Sequence, residues 1–202
     1  MTRETDMMAL GAAAKQASSE MRLASGDTRN AALRAMATEI RKAEPVILAA
    51  NAQDMSAAAE KGLSAAMLDR LKLDTSRVAG IADGLDAIAD LPDPVGSVDK
   101  SWTQPNGLQF SQVRVPIGVI GMIYESRPNV TADAGGLCVK SGNACVLRGG
   151  SESVRSNTAI HAALQAGLQS AGLPAASISL VQTTDRAAVG DMLRGLNGAI
   201  DI

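Results

Sequence analysis

Gly118-Val119-Ile120-Gly121-Met122-Ile123-Tyr124-Glu125-Ser126-Arg127-Pro128-Asn129-Val130-Thr131 is the stretch on which the reading of this chain turns. An apolar run passes directly into polar and charged side chains, then into a proline and a helix start. A short continuous apolar run fits a strand buried on both faces. Open α/β sheets place their ligands at the carboxyl ends of such strands. Ala144-Cys145-Val146-Leu147 runs into Arg148-Gly149-Gly150-Ser151-Glu152 in the same manner. Two polar loops at neighbouring strand ends predict one shared site.

Toward the C-terminus the pattern alternates. Strands are predicted at 117–123, 144–148, 178–182 and 199–202, with helices near 130–141, 153–171 and 186–195. Strand–helix alternation predicts an α/β fold with a parallel sheet and helices on its faces. Ala199-Ile200-Asp201-Ile202 reads as the start of a strand. The sheet therefore reads as incomplete and the chain as truncated at 202.

Toward the N-terminus the chain reads as helices. Leu33, Met36, Ala37 and Ile40 follow the spacing of one buried stripe. Pro45 breaks that helix or opens the next. Asn51 to Ala59 continues helically and Lys61-Gly62 ends it. Ile81, Leu85 and Ile88 form another stripe, and Leu91-Pro92-Asp93-Pro94 marks the clearest boundary. Lys100 to Thr103 and Leu108 to Val115 then read as two strands around Gln104-Pro105-Asn106-Gly107, since Asn-Gly is a strong hairpin signal. The expected organisation is a helical segment over 1–96, a β-hairpin arm over 97–115 and a Rossmann-like domain over 116–202.

Composition excludes several classes. Net charge is -2 with scattered Lys and Arg, a poor match to nucleic acid or an anionic membrane surface. No run reaches the roughly 18 apolar residues of a membrane span. The first residues lack a signal-peptide pattern, so the expected location is cytoplasmic. Two cysteines cannot form a disulfide framework, and the single histidine, His161, gives no metal-ligand cluster. Cys138 is placed on a core-facing stripe with Val130, Ala134 and Leu137, and Cys145 inside a buried strand. His161 reads as a surface or satisfied residue rather than a catalytic base.

At the candidate site, Pro128 biases Arg127 toward extended angles. Asn129 then either caps the following helix or points its amide into a cleft to hold a developing negative charge. Gly149 and Gly150 let backbone approach a ligand closely. Ser151 or Glu152 can cap the next helix, whose N-terminus favours anions, and a sugar phosphate beside Arg148 would fit there. The competing reading is an ordinary strand–turn–helix link, because neither G-x-G-x-x-G nor a Walker A pattern is present. Capping is the simplest account of Thr183-Thr184-Asp185.

Val115-Pro116-Ile117-Gly118 through Asn129-Val130-Thr131 closely resembles the signature of the γ-glutamyl phosphate reductase family, within the aldehyde dehydrogenase superfamily. Lys140-Ser141-Gly142-Asn143-Ala144, Leu147 to Glu152, Ile47 to Asn51, Leu68 to Leu71 and Leu91 to Gly96 match as well, so the likeness covers nearly the whole chain. The resemblance implies the aldehyde dehydrogenase fold. It also implies an oxidoreductase of proline biosynthesis that uses NADPH to reduce L-glutamyl 5-phosphate to glutamate 5-semialdehyde with release of phosphate. It further implies a homo-oligomer contacted through the hairpin, and glutamate 5-kinase as supplier of the labile substrate.

In that family a cysteine thiolate attacks the acyl phosphate, and hydride then reduces the thioester. Asn129 resembles the superfamily's oxyanion-holding asparagine. Arg148, Gly149, Ser151 and Glu152 match the region that holds the adenosine ribose and its 2′-phosphate, and Ile123, Tyr124 and Glu125 would line the cofactor cleft. The nucleophilic cysteine lies in a second domain beyond a Pro-Arg-Gly-Gly segment absent from this sequence. The chain alone is therefore expected to be inactive. A non-catalytic nucleotide-binding or subunit-pairing module derived from the family is the alternative. A related acylating aldehyde dehydrogenase is disfavoured by Tyr124-Glu125-Ser126-Arg127-Pro128-Asn129.

Overall fold

The computed structural model describes residues 3–202. Five helices come first: α1 (Arg3–Met21), α2 (Gly26–Lys42), α3 (Glu44–Glu60), α4 (Ala65–Leu71) and α5 (Thr75–Asp90). Local chemistry sets their starts. Ser25 accepts from Thr28 N at 3.1 Å and Asp74 from Arg77 N at 2.9 Å, each satisfying a donor that a helix start leaves open. Pro45 sits in the first turn of α3, where its missing N–H costs nothing.

An antiparallel hairpin follows, β1 (Val98–Thr103) and β2 (Gln109–Val113), with every residue of both strands exposed. Its turn closes through Gly107 N to Gln104 O at 2.9 Å, with Gly107 at φ +87°, a left-handed angle that glycine adopts freely. Trp102 stacks on Phe110 with ring centroids 5.4 Å apart.

The remainder alternates as β3 (Val119–Ile123), α6 (Val130–Lys140), β4 (Ala144–Arg148), α7 (Val154–Ser170), β5 (Ile178–Leu180) and α8 (Ala187–Leu193). The three strands form one parallel sheet in the order β3-β4-β5. Side chains of β4 alternate between its two faces. Cys145 and Leu147 enter a core built with α2, α5, α6 and α7, while Ala144 and Val146 enter a second core with α1 and α8. All four residues of the α2 stripe are fully buried in the first core.

Three expectations are corrected. First, residues 199–202 do not form a regular strand. Two backbone bonds tie them to β3, Asp201 N to Val119 O at 2.9 Å and Gly121 N to Ile202 O at 2.8 Å. The Asp201 carboxylate accepts from Val119 N at 2.9 Å, taking a donor that a ladder carbonyl would otherwise use. Second, β3 starts at Val119 rather than 117, because Asn143 Oδ1 accepts from both Ile117 N (2.7 Å) and Gly118 N (2.9 Å). Third, Leu137 does not share the buried stripe of Cys138. The stripe of α6 that meets the core passes through Ala134 and Cys138, and Leu137 is exposed.

Among the described residues, no helix is long and apolar enough to cross a membrane.

Candidate functional site

The carboxyl ends of β3 and β4 lie side by side, with Ile123 in register with Arg148. Tyr124 N donates to Arg148 O at 3.0 Å and extends the pairing by one residue. The two polar loops then meet, as Ser126 Oγ donates to Glu152 Oε2 at 2.8 Å. Gly150 makes that closure possible, since a Cβ there would lie 2.7 Å from Ser126 Oγ and 2.9 Å from Glu152 Oε2.

Between and beside these loops lies a cleft of about 430 Å³, within the usual range for small-molecule sites. Ile123, Tyr124, Glu125, Arg148, Ser151 and Glu152 all line it. Gly149 is set back, its α-carbon facing Asn157 and the Tyr124 ring. Met67 and Arg70 close the cleft from α4, and Thr184 and Arg186 from the segment after β5. These four were missed by sequence reasoning. Thr183-Thr184-Asp185 offered a signal, since it ends a strand as the other two loops do. Asp185 lies one residue before the N-cap of α8 and accepts from Ala187 N at 2.9 Å, and Thr184 beside it lines the cleft. Nothing in the local pattern of α4 pointed to this site.

Charge in the cleft is unbalanced. Arg70, Arg127, Arg148 and Arg186 face Glu125 and Glu152. None of the four arginines forms an ion pair among the described residues, whereas Arg3, Arg29, Arg34, Arg41, Arg77, Arg114, Arg155 and Arg194 all do. The Nε of Arg148 is buried without a hydrogen-bond partner. Unmatched guanidinium groups in a concave site favour an anionic ligand.

Two cleft residues are shifted in proton affinity. Burial works to raise the Glu152 carboxyl, but donation from Ser126 Oγ and from Ser151 Oγ (2.8 Å) outweighs it, and the group is held below the ordinary glutamate value. Glu152 is thus ionised at neutral pH. Burial pushes the Tyr124 phenol up to about 12, and its hydroxyl is held by Thr131 Oγ1 at 2.7 Å. Tyr124 is a neutral wall fixed against the core.

Ser151 and Glu152 do not cap α7. Asp54 of α3 does, its Oδ2 accepting from Ser156 N at 2.8 Å. Ser151 and Glu152 instead bond to each other, in a short 3₁₀ turn ahead of the helix. The first turn of α7 is therefore occupied by a protein carboxylate. The cationic character of the cleft comes from the arginines.

Asn129 precedes α6 in helical geometry, φ -57° and ψ -30°, and its side chain makes no cap bond. Its Nδ2 donates to Asp133 Oδ2 at 2.9 Å. Burial raises the Asp133 carboxyl despite this donation. An amide nitrogen carries two hydrogens, so one remains for another acceptor. Asn129 lines a neighbouring depression of about 460 Å³ rather than the cleft itself, and Arg70 and Arg127 border both.

Both cysteines are buried. The Cys145 thiol is pushed well up by its contact with Cys138 and by complete burial, which opposes the thiolate that nucleophilic chemistry needs. His161 is satisfied, with Nε2 2.8 Å from Ile178 O, and burial lowers its affinity for a proton.

A parallel sheet with helices on both faces and an arginine-rich cleft at its carboxyl ends places the chain in the class of open α/β proteins, which bind ligands at that end of the sheet. The sequence profile of the aldehyde dehydrogenase family matches residues 1–195, and the chain belongs to that family. Its relatives carry a narrower name. It is 55% identical to a γ-glutamyl phosphate reductase of Caulobacter vibrioides over 97% of this chain and 48% of that protein. The crystal structure of γ-glutamyl phosphate reductase from Thermotoga maritima superposes with a TM-score of 0.89 at 37% identity, over 93% of this chain and 45% of that one. The enzyme from Saccharomyces cerevisiae gives a TM-score of 0.84 at 27% identity, over 100% of this chain and 55% of that one. The chain spans about half the length of the curated relatives it matches.

Proposed function

We propose that this chain is the cofactor-binding portion of a γ-glutamyl phosphate reductase. The whole protein would reduce L-glutamyl 5-phosphate to L-glutamate 5-semialdehyde with NADPH, releasing phosphate, in proline biosynthesis. The observation that carries the reading is the cleft at the ends of β3 and β4, where Arg148 and Arg186 stand without carboxylate partners among the described residues.

These residues fit a phosphorylated dinucleotide. Arg148, with its buried and unpartnered Nε, would hold the 2′-phosphate beside Ser151. Ile123, Tyr124 and Glu125 would form one wall, and the absence of a side chain at Gly149 and Gly150 leaves the backbone open to close approach. The nicotinamide supplies the hydride when bound. Asn129 would donate its free amide hydrogen to the oxygen on which negative charge develops.

Within this chain both thiols are buried and neither lines the cleft. The chain by itself would therefore bind NADPH without turning over substrate. The exposed hairpin, with Trp102 stacked on Phe110 at its surface, would serve contacts in a homo-oligomer. Glutamate 5-kinase would supply the short-lived acyl phosphate, and the cytoplasm would be the setting.

The test is a kinase-coupled NADPH assay on the complete protein, alongside a fluorescence titration of the 202-residue chain. Binding without turnover in the chain, and turnover in the complete protein, is the expected pair of results. Turnover by the chain alone would reject the assignment of the nucleophile elsewhere. Arg148→Ala should weaken NADPH by about 1.5–3 kcal/mol, as for a lost charge-assisted hydrogen bond, and NADH far less. Equal loss for both would reject the 2′-phosphate contact.

A further inference from the structure

Arg70 and Arg127 are the two residues that border both the cofactor cleft and the depression beside Asn129. They come from distant parts of the chain. Arg70 lies in the last turn of α4, which Asn51 fixes by donating to Leu71 O at 2.9 Å and accepting from Leu73 N at 2.8 Å. Arg127 lies in the turn after β3, where Arg127 N donates to Glu125 O at 2.8 Å and Val130 N to Arg127 O at 3.0 Å. Both backbones are anchored and both side chains are exposed. Neither guanidinium has a hydrogen-bond or ion-pair partner among the described residues.

The depression has an excess of positive charge next to the candidate oxyanion donor. Arg77 is neutralised by Asp69, at 2.8 Å. Asp133 is tied to Asn129. That leaves Arg70, Lys72 and Arg127 as cations without a carboxylate partner among the described residues. Arg148 and Arg186 remain on the cofactor side for the dinucleotide's own phosphates. An acyl phosphate carries a charged phosphoryl group one bridging oxygen away from the carbonyl carbon whose oxygen Asn129 would hold. Guanidinium forks match phosphate oxygens in pairs.

We propose that Arg70 and Arg127 form a two-arginine clamp for the phosphoryl group of the acyl-phosphate substrate, across the boundary between the Asn129 depression and the cofactor cleft. The proposal rests on the reductase reading for the identity of the substrate. The clamp itself rests on the placement of two unpaired arginines beside Asn129.

The test is calorimetric titration of the complete protein with inorganic phosphate, in phosphate-free buffer at saturating NADP. Arg70→Ala and Arg127→Ala should each raise the phosphate Kd about tenfold or more, the loss expected for a charged hydrogen bond, while the NADP Kd moves less than about twofold, within the scatter of such effects. Arg22→Ala, an exposed arginine remote from both cavities, should leave phosphate binding unchanged. Arg70→Lys and Arg127→Lys should each keep part of the affinity that alanine loses. Absence of phosphate binding in the unmodified protein, or unchanged binding in both alanine variants, would overturn the clamp. A parallel rise in the NADP Kd would also overturn it, assigning the arginines to the dinucleotide. Phosphate-dependent oxidation of the semialdehyde is measured alongside. If it is absent while the clamp still binds phosphate, the reductase reading fails, and with it the substrate named here.

Discussion

Asp54 on α3 accepts from both the backbone N–H and the hydroxyl of Ser156 on α7, at 2.8 and 2.7 Å. One buried carboxylate thus caps a helix that begins one hundred residues later, at Val154. Arg155 adds a weaker contact at 3.3 Å from the exposed side. The site loop Arg148 to Ser153 runs directly into this cap, so the N-terminal helices help to fix the cleft.

Asp54→Ala should therefore act on both fold and site. It strips a buried acceptor from the first turn of α7 and leaves the Ser156 N–H and hydroxyl hydrogen without their acceptor, while the hydroxyl oxygen still accepts from Asn51 Nδ2 at 3.0 Å. A loss of about 2–4 kcal/mol in urea unfolding is expected. NADPH affinity should fall with it as the Gly149–Ser153 turn loosens. Stability loss with unchanged affinity would show that the cap supports the fold alone.

Glu152 places an ionised carboxylate in an arginine-rich cleft. On the proposed cofactor reading, its repulsion of a 2′-phosphate would be worth roughly 1 kcal/mol. Glu152→Gln should raise the preference for NADPH over NADH about fivefold, read as the ratio of the two Kd values. The Ser126–Glu152 link has its own pH window. The carboxyl is held below its ordinary value, so its contribution is present above the unfolded glutamate pKa and is lost as pH falls through the folded one. Loop closure should be constant near neutrality and weaken only in acid, measurable as cofactor affinity against pH.

Much of this arrangement is legible in the sequence because it depends on local pattern. The strand-to-loop transitions at Ile123-Tyr124 and Leu147-Arg148 fix the place of the site, since apolar runs and glycines carry their meaning within a few residues. The hairpin is legible for the same reason. What is not legible depends on long-range packing. Asp54 and Asn51 are polar residues on the buried side of α3, and their partners Ser156 and Leu71 cannot be inferred from helical spacing. Arg70 reaches the cleft only because α4 is folded back over it. The segment 199–202 has the composition of a strand, but a single side-chain contact from Asp201 to Val119 N changes its pairing.

Gly167 shows how closely the first core is packed. A Cβ there would lie 2.5 Å from both the N and the Cα of Met36, at the crossing of α2 and α7. Backbone cannot yield as a flexible side chain does. Gly167→Ala should destabilise the chain by about 1–3 kcal/mol, the usual range for overpacking, even though alanine is the better helix former. A neutral or stabilising result in thermal unfolding would mean that the two helices separate without cost.

Asn129 separates a chemical role from a structural one. Its side chain makes no cap bond and donates to Asp133, in the first turn of α6. Asn129→Ala in the complete protein should leave thermal stability within about 0.5 kcal/mol, as for most substitutions that break no buried network. Turnover should fall by about 10²–10³, the usual effect of removing one oxyanion donor. Cofactor affinity should be nearly unchanged, because Asn129 borders the depression rather than the cleft at the ends of β3 and β4. Asn129→Asp keeps the shape but replaces the donor with a carboxylate beside Asp133, and should be at least as impaired in turnover. If affinity falls while turnover survives, Asn129 shapes the loop between β3 and α6, and the oxyanion donor lies elsewhere in the protein.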